Sequence, residues 1–144
     1  MLKVLYVTPH LSTGGLPQYL LTKIQAVHKE YDVYVCEWSD IAPIYTVQKD
    51  KIQFLIPKQN FLGFPSNTQD DEKEGKLLSY IDEVGADIIH FEEFPETFLR
   101  QSFLKKIYSN DRYYKIIETT HDSAFTPDRK MFLPDYFMFV SNYH

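Results

Sequence analysis

The stretch KVLYVTPHLSTGGLPQYLLTKI, residues 3–24, decides the fold class. Leu2 to Val7 is a short, β-favouring run that is apolar on both faces, the pattern of a strand buried from two sides in a parallel sheet. Ser12-Thr13-Gly14-Gly15 is a turn signal with two candidate helix caps. Leu16, Leu20, Ile24, Val27 and Tyr31 then recur at spacings of four, four, three and four, one stripe of an amphipathic helix. Pro17 falls in the first turn, where a helix tolerates it.

The alternation continues outward from this unit. Asp32 to Trp38 (DVYVCEW) predicts a second strand, and Ile52 to Ile56 (IQFLI) a third, stopped by Pro57. Residues 39–51 fit a hairpin or a short extra strand near Ile44 to Val47, and Pro57 to Asn67 (PKQNFLGFPSN) is expected to be a long loop. Asp70 to Val84 carries Leu77, Leu78, Ile81 and Val84 at helical spacing, with Asp70, Asp71 and Glu72 at its positive end. Ala86 to Phe91 (ADIIHF), Lys115 to Thr120 (KIIETT) and Asp135 to Ser141 (DYFMFVS) read as strands four to six. Leu99, Phe103 and Ile107 mark a helix over Thr97 to Tyr108, and Asp122 to Pro134 is a linker without period. Strand–helix alternation of this kind predicts an α/β fold, a Rossmann-like parallel sheet flanked by helices. The sequence stops at Ser141-Asn142-Tyr143-His144, just past a strand and where a helix is due, so these residues are expected to be the N-terminal part of a longer protein.

Composition narrows the function classes. Hydrophobic content of 44% against 24% charged residues excludes a disordered chain. Fifteen Lys and Arg against 20 Asp and Glu give a net charge of −5, which argues against a nucleic-acid partner, since phosphate contacts need a basic face. The lone cysteine, Cys36, excludes an intramolecular disulfide and fits a reducing, cytoplasmic compartment. No apolar run approaches the roughly 20 residues of a membrane span.

Ligands of open parallel sheets bind beyond the carboxyl ends of the strands, so the polar residues there are the shortlist. After strand one come His10, Ser12, Thr13, Gly14 and Gly15; after strand four, Glu92 and Glu93, with His90 inside the strand; after strand five, Thr120, His121 and Asp122. Gly14-Gly15 opens a helix and suits a phosphate or pyrophosphate, although a tight turn needing positive φ explains the pair as well. His121 fits a ligand donor or a proton-transfer group, or a hydrogen-bonded histidine closing its strand. Glu92-Glu93 fits a carboxylate for a sugar hydroxyl, or a solvated acidic turn. Neither G-x-G-x-x-G nor G-x-x-x-x-G-K-[ST] is present, and no G-x-S-x-G elbow exists. His10, His90 and His121 with Glu92 or Asp122 raise a metal-dependent hydrolase, but no pair has a local ligand spacing.

Four ordered pieces carry a family resemblance: KVLYVTPHLSTGGLPQYLLTKI, ADIIHFEEF, IIETTHD and DYFMFVSNYH. Together they resemble the N-terminal domain of a GT-B glycosyltransferase of the retaining family 4 type, with residues 39–85 contributing topology alone. The resemblance implies a transferase that moves a sugar from a nucleotide-sugar to a glycan or lipid-linked acceptor. It implies that residues 1–144 are the acceptor-side domain, inactive without a C-terminal donor-binding domain that is absent here. Gly14 and Gly15 would reach the donor diphosphate and His121 would be catalytic at the donor sugar, with Glu92, Glu93, His10 and Asp122 on the acceptor side. No cofactor and no metal is required, since N–H donors meet the charge on the leaving diphosphate. The family's middle motif often has a second histidine two residues after the position of His90; Glu92 stands there, a departure that bears on the acceptor. Relatives often sit against membranes through a basic patch, for which Lys105, Lys106, Arg112 and Lys115 are a thin candidate beside a solvated helix face. Two other readings remain, a non-catalytic Rossmann-like module for a phosphorylated ligand and the metal-dependent hydrolase.

Overall fold

The computed structural model describes residues 1–12, 14–41, 44–121 and 127–140. Six strands, β1 (Lys3–Thr8), β2 (Asp32–Asp40), β3 (Phe61–Pro65), β4 (Ile88–Phe91), β5 (Lys115–Thr120) and β6 (Tyr136–Phe139), form one sheet in the order β3-β2-β1-β4-β5-β6. Every neighbouring pair is parallel. The order reverses beside β1, which pairs with β2 on one side and with β4 on the other.

Alternation along β1 assigns the two faces. Val4 and Tyr6 point toward α1 (Gly15–Val27) and α2 (Val47–Leu55), packing with Leu20, Leu21, Ile24, Ile52 and Ile56. Leu5 and Val7 point the other way, toward α3 (Asp70–Val84) and α4 (Gln101–Ile107), among Leu77, Ile81, Phe103 and Ile107. Both faces of β1 are therefore dry, as its uninterrupted apolar run requires. α3 begins on Asp70, Asp71 and Glu72 and ends at Gly85, whose φ of 66° caps the helix while its N–H bonds the Ile81 carbonyl.

The region between β2 and α3 corrects two expectations. Residues expected as a third strand, Ile52 to Ile56, belong instead to α2 and its C-cap, and the proposed extra strand near Ile44 to Val47 runs into the start of that helix. Only Ile52 and Ile56 of the run are buried, four residues apart, while Phe54 is 89% exposed; the run has one apolar helical edge rather than a strand's two faces. The third strand lies in the expected loop, at Phe61–Pro65. Its Gly63 and Pro65 read as loop residues, but at a sheet edge both are tolerated, and Phe64 anchors it edge-on against Trp38. α4 is also shorter than expected. Pro95–Thr97 forms a separate 3-10 turn, closed by the Thr97 hydroxyl on the Phe94 carbonyl, and Arg100 is extended before α4 begins.

The approach to β6 is fixed by charge as well as by apolar packing, Phe132 lying against the Tyr108 ring and the core. Lys130, whose side chain is 2% exposed, lies 2.5 Å from Glu96 Oε1 and 2.6 Å from Glu118 Oε1. Glu118 also accepts the Tyr108 hydroxyl at 2.5 Å; burial nevertheless leaves its pKa above the ordinary value. Asp135 accepts from the Ile116 amide and from Arg112, so the last described segment is stitched to β5. All four residues of β6 are exposed. Arg112, one of the four basic residues of the thin patch, is thus engaged inward. Replacing Lys130 with Met leaves Glu118 charged and buried without its cation, an expected loss of about 3–5 kcal/mol in urea denaturation. Adding Glu118→Gln should recover part of that loss, and an unchanged midpoint in the single variant contradicts this account.

Candidate functional site

The carboxyl ends of β1, β4 and β5 meet where the strand order reverses. Glu92 directly follows β4, and its N–H bonds the Val7 carbonyl at 2.9 Å, extending the β1–β4 ladder by one residue. Residues two apart on a strand share a face, so His90 and Glu92 of one strand lie beside Thr119 and His121 of the next, all on the α1 side. The sequence pattern held this pairing: H-F-E and T-T-H end adjacent parallel strands.

Glu92 is fully buried. Lys23 of α1 donates to its Oε1 at 2.5 Å and lies 3.5 Å from Thr119 Oγ1. The ammonium also sits 4.6 Å from the Tyr19 ring centre and 5.6 Å from that of Tyr6. His90 Nε2 is hydrogen-bonded to Thr119 Oγ1 at 2.6 Å and lies 3.5 Å from Glu92 Oε1. His121 Nε2 lies 3.6 Å from Glu92 Oε2, and its ring stands edge-on to Tyr19 at 5.0 Å. Burial alone would raise the Glu92 pKa, but His121, His90 and Lys23 together hold it below the ordinary carboxylate value. Burial pulls His90 down to about 4, Lys23 adding to the effect and Glu92 opposing it, so this ring is neutral at pH 7.

Glu93 has a different task. It accepts from the His121 amide and the Thr120 hydroxyl, each at 3.3 Å, and from the Phe94 amide at 3.0 Å. Its carboxylate clasps the ends of β4 and β5 together. His10 is hydrogen-bonded to Ser12 Oγ through Nδ1 at 2.7 Å and makes no described contact with Glu92, Glu93 or His121. Burial lowers its pKa. Asp122 lies outside the described residues. Among those residues no three His, Cys, Asp or Glu side chains converge as metal ligands, so the arrangement the hydrolase reading requires, with His10 joining His90 and His121, is not formed.

Gly14 and Gly15 differ in what the fold asks of them. Gly14, at φ +155°, holds a backbone conformation that L side chains rarely adopt. Gly15 begins α1 without such a φ, and a Cβ there would meet nothing within 4 Å among the described residues. Among the described residues, neither packing nor backbone requires a glycine at 15.

Lys23, Thr119 and Tyr19 were not singled out from the sequence. Lys23 carried a signal nonetheless, because it adjoins the α1 apolar stripe three residues after Leu20, where a charged residue needs a partner. No protein-family model matches this sequence, and no curated protein matches it. No helix among the described residues is long and apolar enough to cross a membrane.

The neutral His90 makes acid stability a readout of this site. An unfolded His90 titrates near 6.5 and the folded one at about 4, so between those values the unfolded state binds more protons and stability falls as pH drops. That shift corresponds to about 3 kcal/mol. Glu92, held below its unfolded value, adds a loss in the same direction as pH falls through its folded pKa. Denaturation measured from pH 7 to pH 4 should show this decline, and His90→Gln should flatten it; an equal slope in the variant contradicts a neutral buried ring.

Proposed function

We propose that the chain is the acceptor-side domain of a retaining glycosyltransferase, working with a donor-binding domain beyond these 144 residues. The substrates are a nucleotide-sugar and a glycan or lipid-linked acceptor. The observation that carries the reading is Gly15. Gly15 opens α1 at a position where, among the described residues, neither a close contact nor a positive φ calls for a glycine. Close approach of a ligand accounts for that choice, and the unpaired N–H groups of the first turn suit a diphosphate. His121 stands beyond the neighbouring strands on the α1 side, where a sugar carried by that diphosphate would lie. The resemblance of the four sequence pieces to the family supports the same assignment of roles.

On this reading, the chain's contribution is electrostatic and positional. The sugar–diphosphate bond breaks as the acceptor's hydroxyl oxygen bonds the same carbon on the same face, and the hydroxyl proton passes to the departing diphosphate oxygen. Backbone N–H donors at Gly14 and Gly15 stabilise the charge that develops on the departing diphosphate, and His121 orients the sugar. Glu93, whose oxygens already accept from Thr120, His121 and Phe94, fixes the strand ends that frame the cleft.

The test is hydrolysis of, and transfer from, UDP-, GDP- and ADP-sugars by the parent-length protein beside the 144-residue chain. Turnover in the longer form alone is expected. Absence of turnover in both, with the fold intact, overturns the reading in favour of a non-catalytic phospholigand module. Within an active parent, Gly15→Leu should raise the donor KM more than the acceptor KM while leaving thermal stability near wild type. His121→Ala should lower kcat by about 10²-fold, through loss of substrate positioning.

A further inference from the structure

We propose that Glu92, anchored by Lys23, is a positioning residue that accepts the Nε2–H of His121 and so leaves the ring's Nδ1 to face a ligand. Three buried carboxylates follow the same plan in this protein, each with one lysine: Glu37 with Lys49, Glu118 with Lys130 and Glu92 with Lys23. Each has one oxygen without a geometrically sound hydrogen bond among the described residues. In Glu37 and Glu118 that oxygen is the one on the lysine, at 2.8 Å and 2.6 Å. In Glu92 it is the other oxygen, Oε2, and the group opposite it is His121 Nε2 at 3.6 Å. His121 Nε2 is itself buried and without a hydrogen bond among the described residues.

Two unpaired buried polar atoms facing one another have a single inexpensive solution. A lone pair on Nε2 would set two acceptors against each other in a site closed to water. A hydrogen on Nε2 turns the same contact into a charge-assisted bond, and a small closure of the distance completes it. Oε1 is not available for this task, since Lys23 holds it. The ring is held from a second side by the edge-on Tyr19, and its main chain by Glu93. Nδ1 makes no hydrogen bond to a described residue, and the His121 side chain retains 17% of its exposure although Nε2 is inaccessible. In the neutral ring Nδ1 is an acceptor, suited to a hydroxyl of a bound ligand. That the hydroxyl belongs to a sugar rests on the transferase reading above; the ring tautomer does not.

The experiment is a ¹H–¹⁵N spectrum of ring-labelled histidines in the 144-residue chain, read where His121 is neutral and assigned by its loss in His121→Gln. Expected is a protonated Nε2 with an observable, slowly exchanging hydrogen and an unprotonated Nδ1. Lys23→Met/Glu92→Leu exchanges the ion pair for apolar groups and keeps the site occupied, so it should fold. In that variant the slow Nε2 hydrogen should exchange with water and disappear. A wild-type ring protonated on Nδ1 overturns the proposal, and so does an Nε2 hydrogen that survives unchanged in the double variant. Neither result depends on turnover, so failure here is distinct from failure of the transferase assay.

Discussion

The pairing of β1 with β4 is the constraint on which the rest of the site depends. After β3 the chain crosses by α3 to the opposite side of β1, and Val4–Val7 then pair in register with Ile88–Phe91. Two parallel strands far apart in sequence now end side by side, while the helices that follow them depart over opposite faces. A crevice at the carboxyl ends is the geometric result. The one extra ladder bond, from the Glu92 amide to the Val7 carbonyl, carries a carboxylate into that crevice beneath α1.

A carboxylate in such a place needs a cation and polar neighbours, and the chain supplies them from three elements. Lys23 comes from α1, His90 from β4 and His121 from just beyond β5. Breaking such a pair from one side is costly, whereas exchanging both members for apolar groups is often neutral. The pair therefore acts chiefly as a locator, tying the helix that starts at Gly15 to the strand ends that carry Glu92 and His121. Glu37 and Glu118 serve their own neighbours similarly: Glu37 also accepts the Leu11 amide at 2.8 Å, and Glu118 holds Lys130 ahead of β6. Polar fixing of loops at the sheet's carboxyl edge complements the two apolar cores beneath.

Much of this was legible in the sequence, for identifiable reasons. Val4–Val7 is an apolar run buried from both sides and Ile88–Phe91 is close to one, interrupted by His90, and such runs announce central parallel strands. The α1 stripe and the acidic start of α3 are equally local. Residues 47–65 misled because their signals conflict: Ile52–Ile56 is dense in β-favouring side chains, yet Phe54 points to solvent, and the true edge strand contains Gly63 and Pro65. Edge strands have only one committed side, so their pattern is diluted. At the candidate site, His121 and Glu92 are singled out by the sequence because they stand at strand ends, where polar residues concentrate. The Lys23–Glu92 pair is not, since contacts 69 residues apart exist only after the sheet order is known. Glycine identity alone could not separate Gly14, which the backbone needs, from Gly15, which it does not.

The central claim is that the crevice beside the β1–β4 pair receives a diphosphate-bearing ligand. The most direct measurement is a titration of UDP-, GDP- and ADP-sugars into the ¹⁵N-labelled chain, with inorganic diphosphate alongside, following the backbone amides. The account predicts that the amides of Gly14, Gly15 and His121 shift together in a saturable way while those of α3 and β3 stay still. Saturable shifts confined elsewhere, or no response of these three amides at millimolar ligand, would contradict it.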